Sequence, residues 1–438
     1  MLPKLIQRPA YLERALMFRD TDLVKVVTGV RRCGKSSLLQ LVREHIEGEG
    51  VPHRSFASLN LEDRESGVRT DDDLYEWCKS HMGEGKTYLF LDEIQRIEGW
   101  HDVVNSLRAS FDCDIYLTGS NAFLLSGELA TYLSGRYVEV KMLPLTFKEY
   151  ADFCGLRPAE GNSIMLQDGG GPMLTDDLVM RFLRFGGMPA IASLATTQAQ
   201  HEAYLSSLYE TVVVRDILDR ERNATERAIR NPDVLRLVCE FLADNVGNAM
   251  SANSMAGALS RTTKVTDKTV AAYVKALNDA YAFYPAKRYD LHGKAVLRTL
   301  PKQYIVDTGL RSYLVGYRVS DAGRAFENAV YLQLLHDGWS VHVGKLYQKE
   351  VDFVCLREGE VLYVQVTDSM ADEATRKREL SPLRSIADNH PKWVVVRQGS
   401  YPPDVDGIRI VRAADFFLGW RYSFPMKTSQ PISVFERK

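Results

Sequence analysis

Nothing in this sequence approaches the roughly 18 consecutive apolar residues that a membrane-spanning helix needs, so no membrane partner is expected. The stretch from Met1 to Asp22 mixes Lys4, Arg8, Glu13, Arg14, Arg19 and Asp20 with apolar residues and lacks the uninterrupted core of a secretion signal. Cysteine is sparse: Cys33, Cys78, Cys113, Cys154, Cys239 and Cys355 are scattered, with no C-x-x-C pair and no metal-ligand spacing. These absences predict a reduced, cytoplasmic protein. Neither sign of charge prevails, since 55 Lys and Arg face 57 Asp and Glu for a net charge of −2. Bulk attraction to nucleic acid is thereby excluded, although a local patch is not. There is no internal repeat. What remains is ordinary globular material, 438 residues with 45% hydrophobic and 26% charged side chains, enough for about three domains.

Short β-rich runs at Leu23–Thr28, Ser55–Asn60, Thr87–Leu91, Ile115–Thr118 and Tyr137–Lys141 alternate with helical patterns at Ser37–Ile46, Asp73–Met82 and His101–Ser110. That alternation predicts an α/β domain built on a parallel sheet covered on both faces. Between the first run and its helix stands Gly29-Val-Arg-Arg-Cys-Gly34-Lys35-Ser36, which fits G-x-x-x-x-G-K-[ST] in the required strand–loop–helix setting. In such a loop the backbone N–H groups of Gly29, Val30, Arg31, Arg32, Cys33, Gly34, Lys35, Ser36 and Ser37 turn toward phosphate oxygens, helped by the helix N-terminus. Lys35 is placed to reach the β- and γ-phosphates of ATP, and the Ser36 hydroxyl to ligate Mg²⁺.

The apolar strand Tyr88–Leu91 ends in Asp92-Glu93. Asp92 suits the Mg²⁺ shell, and Glu93 suits the general base that polarises the attacking water. A third strand ends in Ser120-Asn121, where either residue is a candidate contact for the γ-phosphate or the lytic water. The alternative is a polar cap for a helix over Ala122–Leu129. Arg136, opening the fifth strand, is either a finger reaching into a neighbouring subunit or a plain surface arginine. Arg31 and Arg32 are further candidates for phosphate or interface contacts.

Thr28–Ser36, Leu91-Asp-Glu-Ile-Gln95, Leu117-Thr-Gly-Ser-Asn121 and Leu143-Pro-Leu-Thr-Phe147 together resemble prokaryotic AAA-type ATPases that carry a C-terminal domain of unknown function with a restriction-endonuclease-like fold. Phe185-Gly-Gly-Met-Pro189, Arg288–Lys294, Tyr304–Arg311 and Glu350-Val-Asp-Phe353 extend the resemblance over nearly the whole chain. The resemblance implies ATP hydrolysis, homo-oligomers, and a base-covering role for Pro189. Pattern and resemblance together predict four segments: an ATPase core over 1–144, a helical lid over 145–229, a winged helix-turn-helix module over 230–304 and the nuclease-like domain over 305–438.

Residues 230–304 hold 11 Lys and Arg against 6 Asp and Glu, a local excess of five positive charges. Helical patterns at Asp233–Asp244, Ser254–Ser260 and Asp267–Tyr281 precede a hairpin turning at His292-Gly293. In a winged helix the third of these helices reads DNA, and Lys268, Thr269, Lys275, Lys287, Arg288 and Lys294 become the candidate contacts. Such modules also bind proteins. In the last segment Glu327, Asp352 and Gln365 follow the order of a nuclease site, but Gln365 stands for an acid and Thr367 for the lysine. Lys377 is the candidate substitute cation. The 16 basic and 16 acidic residues from 321 to 438 give no bulk grip on DNA, so a degenerate site is expected. Two functions remain open: an ATP-driven machine acting on duplex DNA, or a slow signalling ATPase whose C-terminal segments bind a protein partner.

Overall fold

Strand β1 (Val24–Thr28) is buried along its whole length, as an inner strand of a parallel sheet must be. With β2 (Phe56–Asn60), β3 (Thr87–Asp92), β4 (Cys113–Gly119) and β5 (Tyr137–Lys141) it forms an all-parallel sheet in the order β2-β3-β4-β1-β5. The computed structural model describes residues 5–119, 135–159, 161–167, 170–193, 198–211, 217–218, 231–261, 263–297, 300–318 and 321–419. The candidates Ser120 and Asn121, and the helix expected over Ala122–Leu129, lie outside them. Alternation along the strands divides the covering layers. Val24, Val26, Leu89, Leu91, Ile115 and Leu117 meet the helices Asp71–Ser80 and Trp100–Ser110. On the other face, Val27, Phe90 and Tyr116 meet the helix Lys35–Gly48 and Tyr11 of the helix Pro9–Leu16.

The region after β5 departs from the helical expectation. Helices Phe147–Phe153, Thr175–Phe185, Pro189–Ser193 and Gln198–Tyr209 are present. Between the first two, however, β6 (Leu156–Pro158), β7 (Ile164–Gln167) and β8 (Met173–Leu174) pair antiparallel. Met165 is buried between exposed Ile164 and Leu166, a period of two that a short run hides among helices.

Helices Pro232–Asp244, Ala252–Leu259 and Asp267–Asp279 start at Asn231, Ser251 and Thr266, whose side chains accept first-turn N–H groups. The third leads into β9 (Phe283–Ala286), which pairs antiparallel with β12 (Lys302–Ile305), and Ala249 bridges to Lys302 on the same strand. Between them β10 (Arg288–Asp290) and β11 (Ala295–Val296) make the expected hairpin. This hairpin does not stay with the helices. β10 joins a second sheet, of eight strands, in the order β11-β10-β13-β14-β15-β16-β18-β17. Its other members are β13 (Ser340–Leu346), β14 (Lys349–Arg357), β15 (Glu360–Thr367), β16 (Lys392–Val396), β17 (Asp404–Val405) and β18 (Ile408–Arg412). Helix Ala322–His336 covers one face through Phe326 and Val330; helix Glu373–Arg384 covers the other through Leu380 and Leu383. One apolar cluster runs from Tyr11 to Leu418 across both sheets, while the layers of helices Asp71–Ser80 with Trp100–Ser110 and of helix Glu373–Arg384 pack in two further clusters. No helix among the described residues is long and apolar enough to cross a membrane.

Candidate nucleotide-binding site

The loop after β1 is shaped by three positive φ angles, at Gly29 (140°), Arg32 (65°) and Gly34 (103°). A Cβ on Gly29 would lie 2.1 Å from the Met142 carbonyl oxygen, so the loop and the end of β5 approach each other as only glycine permits. No side chain caps the helix that follows Gly34, which leaves its first N–H groups directed at the cleft. Lys35 is buried and its Nζ donates to the carbonyls of Gly29 (3.1 Å) and Val30 (3.2 Å). Ser36 and Ser37 are exposed beside it. Cys33 points inward; burial pushes its thiol pKa up, and it packs as a small apolar group.

Asp92 ends β3 two strands away, and Thr118 of β4 ties it down. The Thr118 hydroxyl donates to Asp92 Oδ1 and accepts the Glu93 N–H at 2.9 Å. Glu93 itself has φ 57°, and Gln95 Nε2 donates to its Oε2. The loop and the acidic pair thus share the carboxyl edge of one parallel sheet, where such sheets bind ligands. The loop residues Gly34 to Ser37 and Glu93 line a cleft of about 480 Å³ together with Arg32, Pro189, Ala190 and Tyr204. Arg31 turns outward to Glu62 (2.6 Å), which also holds Arg96 (2.7 Å). Arg136 is exposed at the opposite end of β5, where its carbonyl accepts the Val24 N–H; it lies far along the strand from its own loop.

Two supports were invisible in sequence. Buried Arg8 donates to the carbonyls of Cys33, Leu143 and Pro144 and pairs with Glu149 at 2.8 Å. Tyr204, on helix Gln198–Tyr209, forms a cleft wall beside Arg32. Neither belongs to a motif. Thr118 did carry a signal, as a polar residue ending an apolar strand beside Asp92.

The basic candidates separate. Lys268 and exposed Lys275 lie on helix Asp267–Asp279, with Lys275 paired to Asp279 (2.6 Å). Lys287, Arg288 and Lys294 lie along the hairpin that joins the second sheet, with Arg288 against Glu350 (3.4 Å). Glu327, Asp352 and Gln365 do converge. Tyr304 donates to Glu327 at 2.7 Å, Gln365 Oε1 accepts the Asp352 N–H at 3.4 Å, and Gln365 donates to Glu379 at 3.0 Å. The cation among them is Lys302 of β12, 2.6 Å from Glu350 and 3.9 Å from Glu327. Lys377 instead lies on the surface 3.9 Å from Glu373. Burial, and then the neighbouring Glu327 charge, raise the Asp352 pKa well above the carboxylate range. Among the described residues no group of three or more His, Cys, Asp or Glu is arranged to hold a metal.

Residues 21–151, which hold the parallel sheet and the phosphate-type loop at its edge, match the AAA domain. Residues 176–321 match a domain of unknown function (DUF8612). The chain belongs to the same family as an uncharacterised protein of Haemophilus influenzae, with 36% identity over 95% of this chain and 100% of that one. An uncharacterised protein of Methanocaldococcus jannaschii is 28% identical over 82% of this chain and 77% of its own. Among solved structures, the Walker-type ATPase of Pyrococcus abyssi is similar at a TM-score of 0.44 and 14% identity, covering 71% of this chain and 96% of that one.

Proposed function

We propose that this protein is a Mg²⁺-dependent ATPase, acting as a homo-oligomer, that uses its nucleotide state to control an activity on duplex DNA. The observation that carries this reading is the Thr118 bridge, which ties Asp92 and the Glu93 backbone together at the sheet edge, where Glu93 shares a cleft with Lys35 and Ser36. The residues fit the nucleotide and its metal: uncapped helix N–H groups and Lys35 suit phosphates, while the Ser36 hydroxyl and the Asp92 carboxylate are hard oxygen donors suited to Mg²⁺. When bound, Mg²⁺ neutralises charge on the β- and γ-phosphates. Lys35 exchanges its loop carbonyls for phosphate oxygens. Glu93, once released by Gln95, accepts a proton from water. Pro189, Ala190 and Tyr204 wall the nucleotide from solvent. Arg136, remote from its own loop, serves the site of a neighbouring copy.

The helices Pro232–Asp244, Ala252–Leu259 and Asp267–Asp279 with β9 and β12 have the order of a winged helix, and Lys268 and Lys275 on its third helix are the phosphate contacts. The Glu327–Asp352–Gln365 cluster is a degenerate nuclease-like site in which Lys302 stands as permanent counter-charge. A second reading, a signalling switch that binds a protein partner, draws support from Arg288 and Lys275 being already matched by acids.

Steady-state ATP turnover with and without duplex DNA tests both. Glu93→Gln should lower turnover by about 10²–10⁴-fold while nucleotide still binds. Stimulation of the wild type by DNA, falling with salt, supports the DNA reading; turnover indifferent to DNA leaves the protein-facing switch.

A further inference from the structure

Phe185-Gly-Gly-Met-Pro189 and the Val306-Asp-Thr-Gly309 turn are more than a hundred residues apart in the chain, and the fold brings them together. Asp307 lies between β12 and the helix Thr308–Val315, with its carboxylate 2% exposed. Its Oδ1 accepts the Leu310 N–H at 3.0 Å, a helix cap; its Oδ2 accepts the Gly187 N–H at 2.7 Å. No Lys, Arg or His pairs with it among the described residues. Two backbone amides therefore stand in for a counter-ion, one from each segment.

The surroundings allow no other residue. A Cβ on Gly186 would fall 2.1 Å from Asp307 Oδ1, one on Gly309 2.1 Å from the Phe185 carbonyl, and one on Gly187 2.2 Å from the Leu145 carbonyl. The Gly187 carbonyl accepts the Leu145 N–H at 2.7 Å, so the loop is gripped from both sides. Two residues on, Pro189 and Ala190 form a wall of the nucleotide cleft.

We propose that Asp307 is a positioning residue for the nucleotide: through the Gly187 amide it holds the Pro189–Ala190 wall and so sets nucleotide affinity. This deepens, and rests on, the ATPase reading. The link runs further. Arg311, on the helix that Asp307 caps, donates to the Ala243 carbonyl at 3.0 Å, at the end of helix Pro232–Asp244. The basic helical segment and the nucleotide wall thus share one anchor, and whatever moves the segment alters nucleotide affinity reciprocally.

The test uses the full chain, with ADP titrated by calorimetry and ATP turnover measured for wild type, Asp307→Asn and Asp372→Asn. In Asp307→Asn an amide N–H₂ replaces one acceptor oxygen and faces backbone N–H groups. ADP affinity should fall, and KM for ATP rise, by about tenfold, with a smaller change in kcat. Asp372 caps the distant helix Glu373–Arg384 through the Thr375 N–H; its Asn variant controls for cap loss and should shift only the unfolding midpoint. Wild-type ADP affinity in Asp307→Asn would overturn the proposal. Should that variant not fold, Gly309→Ala drives the same two segments apart with the carboxylate intact, and unchanged ADP affinity there overturns it equally. A wild type that binds no nucleotide would instead refute the ATPase reading itself.

Discussion

Replacing Arg8 by Met tests how far the phosphate loop depends on residues outside the sheet. The guanidinium is 4% exposed and Glu149 9%. It makes two bonds to Glu149 (2.9 and 2.8 Å) and one each to the carbonyls of Cys33 (3.1 Å), Leu143 (3.1 Å) and Pro144 (3.2 Å). Met keeps the apolar stem and removes all five. Stranding one member of a buried ion pair costs about 3–5 kcal/mol. Glu149 retains the Thr146 N–H at 2.9 Å, so the lower end, about 3 kcal/mol, is expected. Urea unfolding at pH 7 reads it as a fall in the midpoint of the first transition. The pH dependence supplies a second signature. Burial pushes the Glu149 pKa up, but the Arg8 charge and hydrogen bonds outweigh it and the net shift is downward. In the wild type this contribution is present above the ordinary carboxylate pKa and disappears as pH falls through the depressed native value. Without Arg8 burial acts with little opposition, so the stability gap between the two proteins narrows on acidification. A gap under about 1 kcal/mol at pH 7, or one constant down to pH 4, would refute the buried pair as the anchor. The double variant Arg8→Met/Glu149→Leu should recover much of the loss.

Thr118→Val keeps the β-branched shape but releases both Asp92 and the Glu93 N–H; ATP turnover should fall about tenfold or more, with the loss in kcat rather than in ADP affinity. A variant with wild-type kcat would remove Thr118 from the site. Asp352→Asn should leave the protein as stable as wild type or more so at pH 8. The Asp352 pKa is raised by burial and by Glu327, so its ionisation subtracts stability as pH rises through the native value, and that penalty is absent in Asn. Urea midpoints at pH 8 and pH 5 measure this, and a variant less stable at pH 8 than at pH 5 relative to wild type would contradict the sign.

The AAA domain was legible because its signals are local. Each strand of the first sheet is a short apolar run, and the phosphate loop and Asp92-Glu93 sit where runs end, so observed strands differ from expected ones by one or two residues at most. The three helices of the basic segment were equally readable from their helical pattern. The small sheet of β6, β7 and β8 was not, because four-residue strands with one buried position carry almost no periodicity. The hairpin at His292-Gly293 was found, but its destination in the eight-stranded sheet was not: turn chemistry specifies that two strands pair with each other, not which third strand receives them.

Lys302 shows the same division at the level of a site. From sequence it is one of several lysines in a basic segment, while Lys377 sits conveniently after Asp352 and Gln365. In space Lys377 lies on the surface and Lys302 enters from β12, because the pairing of β9 with β12 delivers it beneath helix Ala322–His336. Arg8, Tyr204 and Asp307 are of this kind too. The sequence by itself determined the class of fold and the chemistry at the end of each strand, since local turns and side-chain periodicity are written within a few residues. Only the tertiary structure decided which distant charges meet, because a buried ion needs a partner and the chain supplies it from wherever packing brings one.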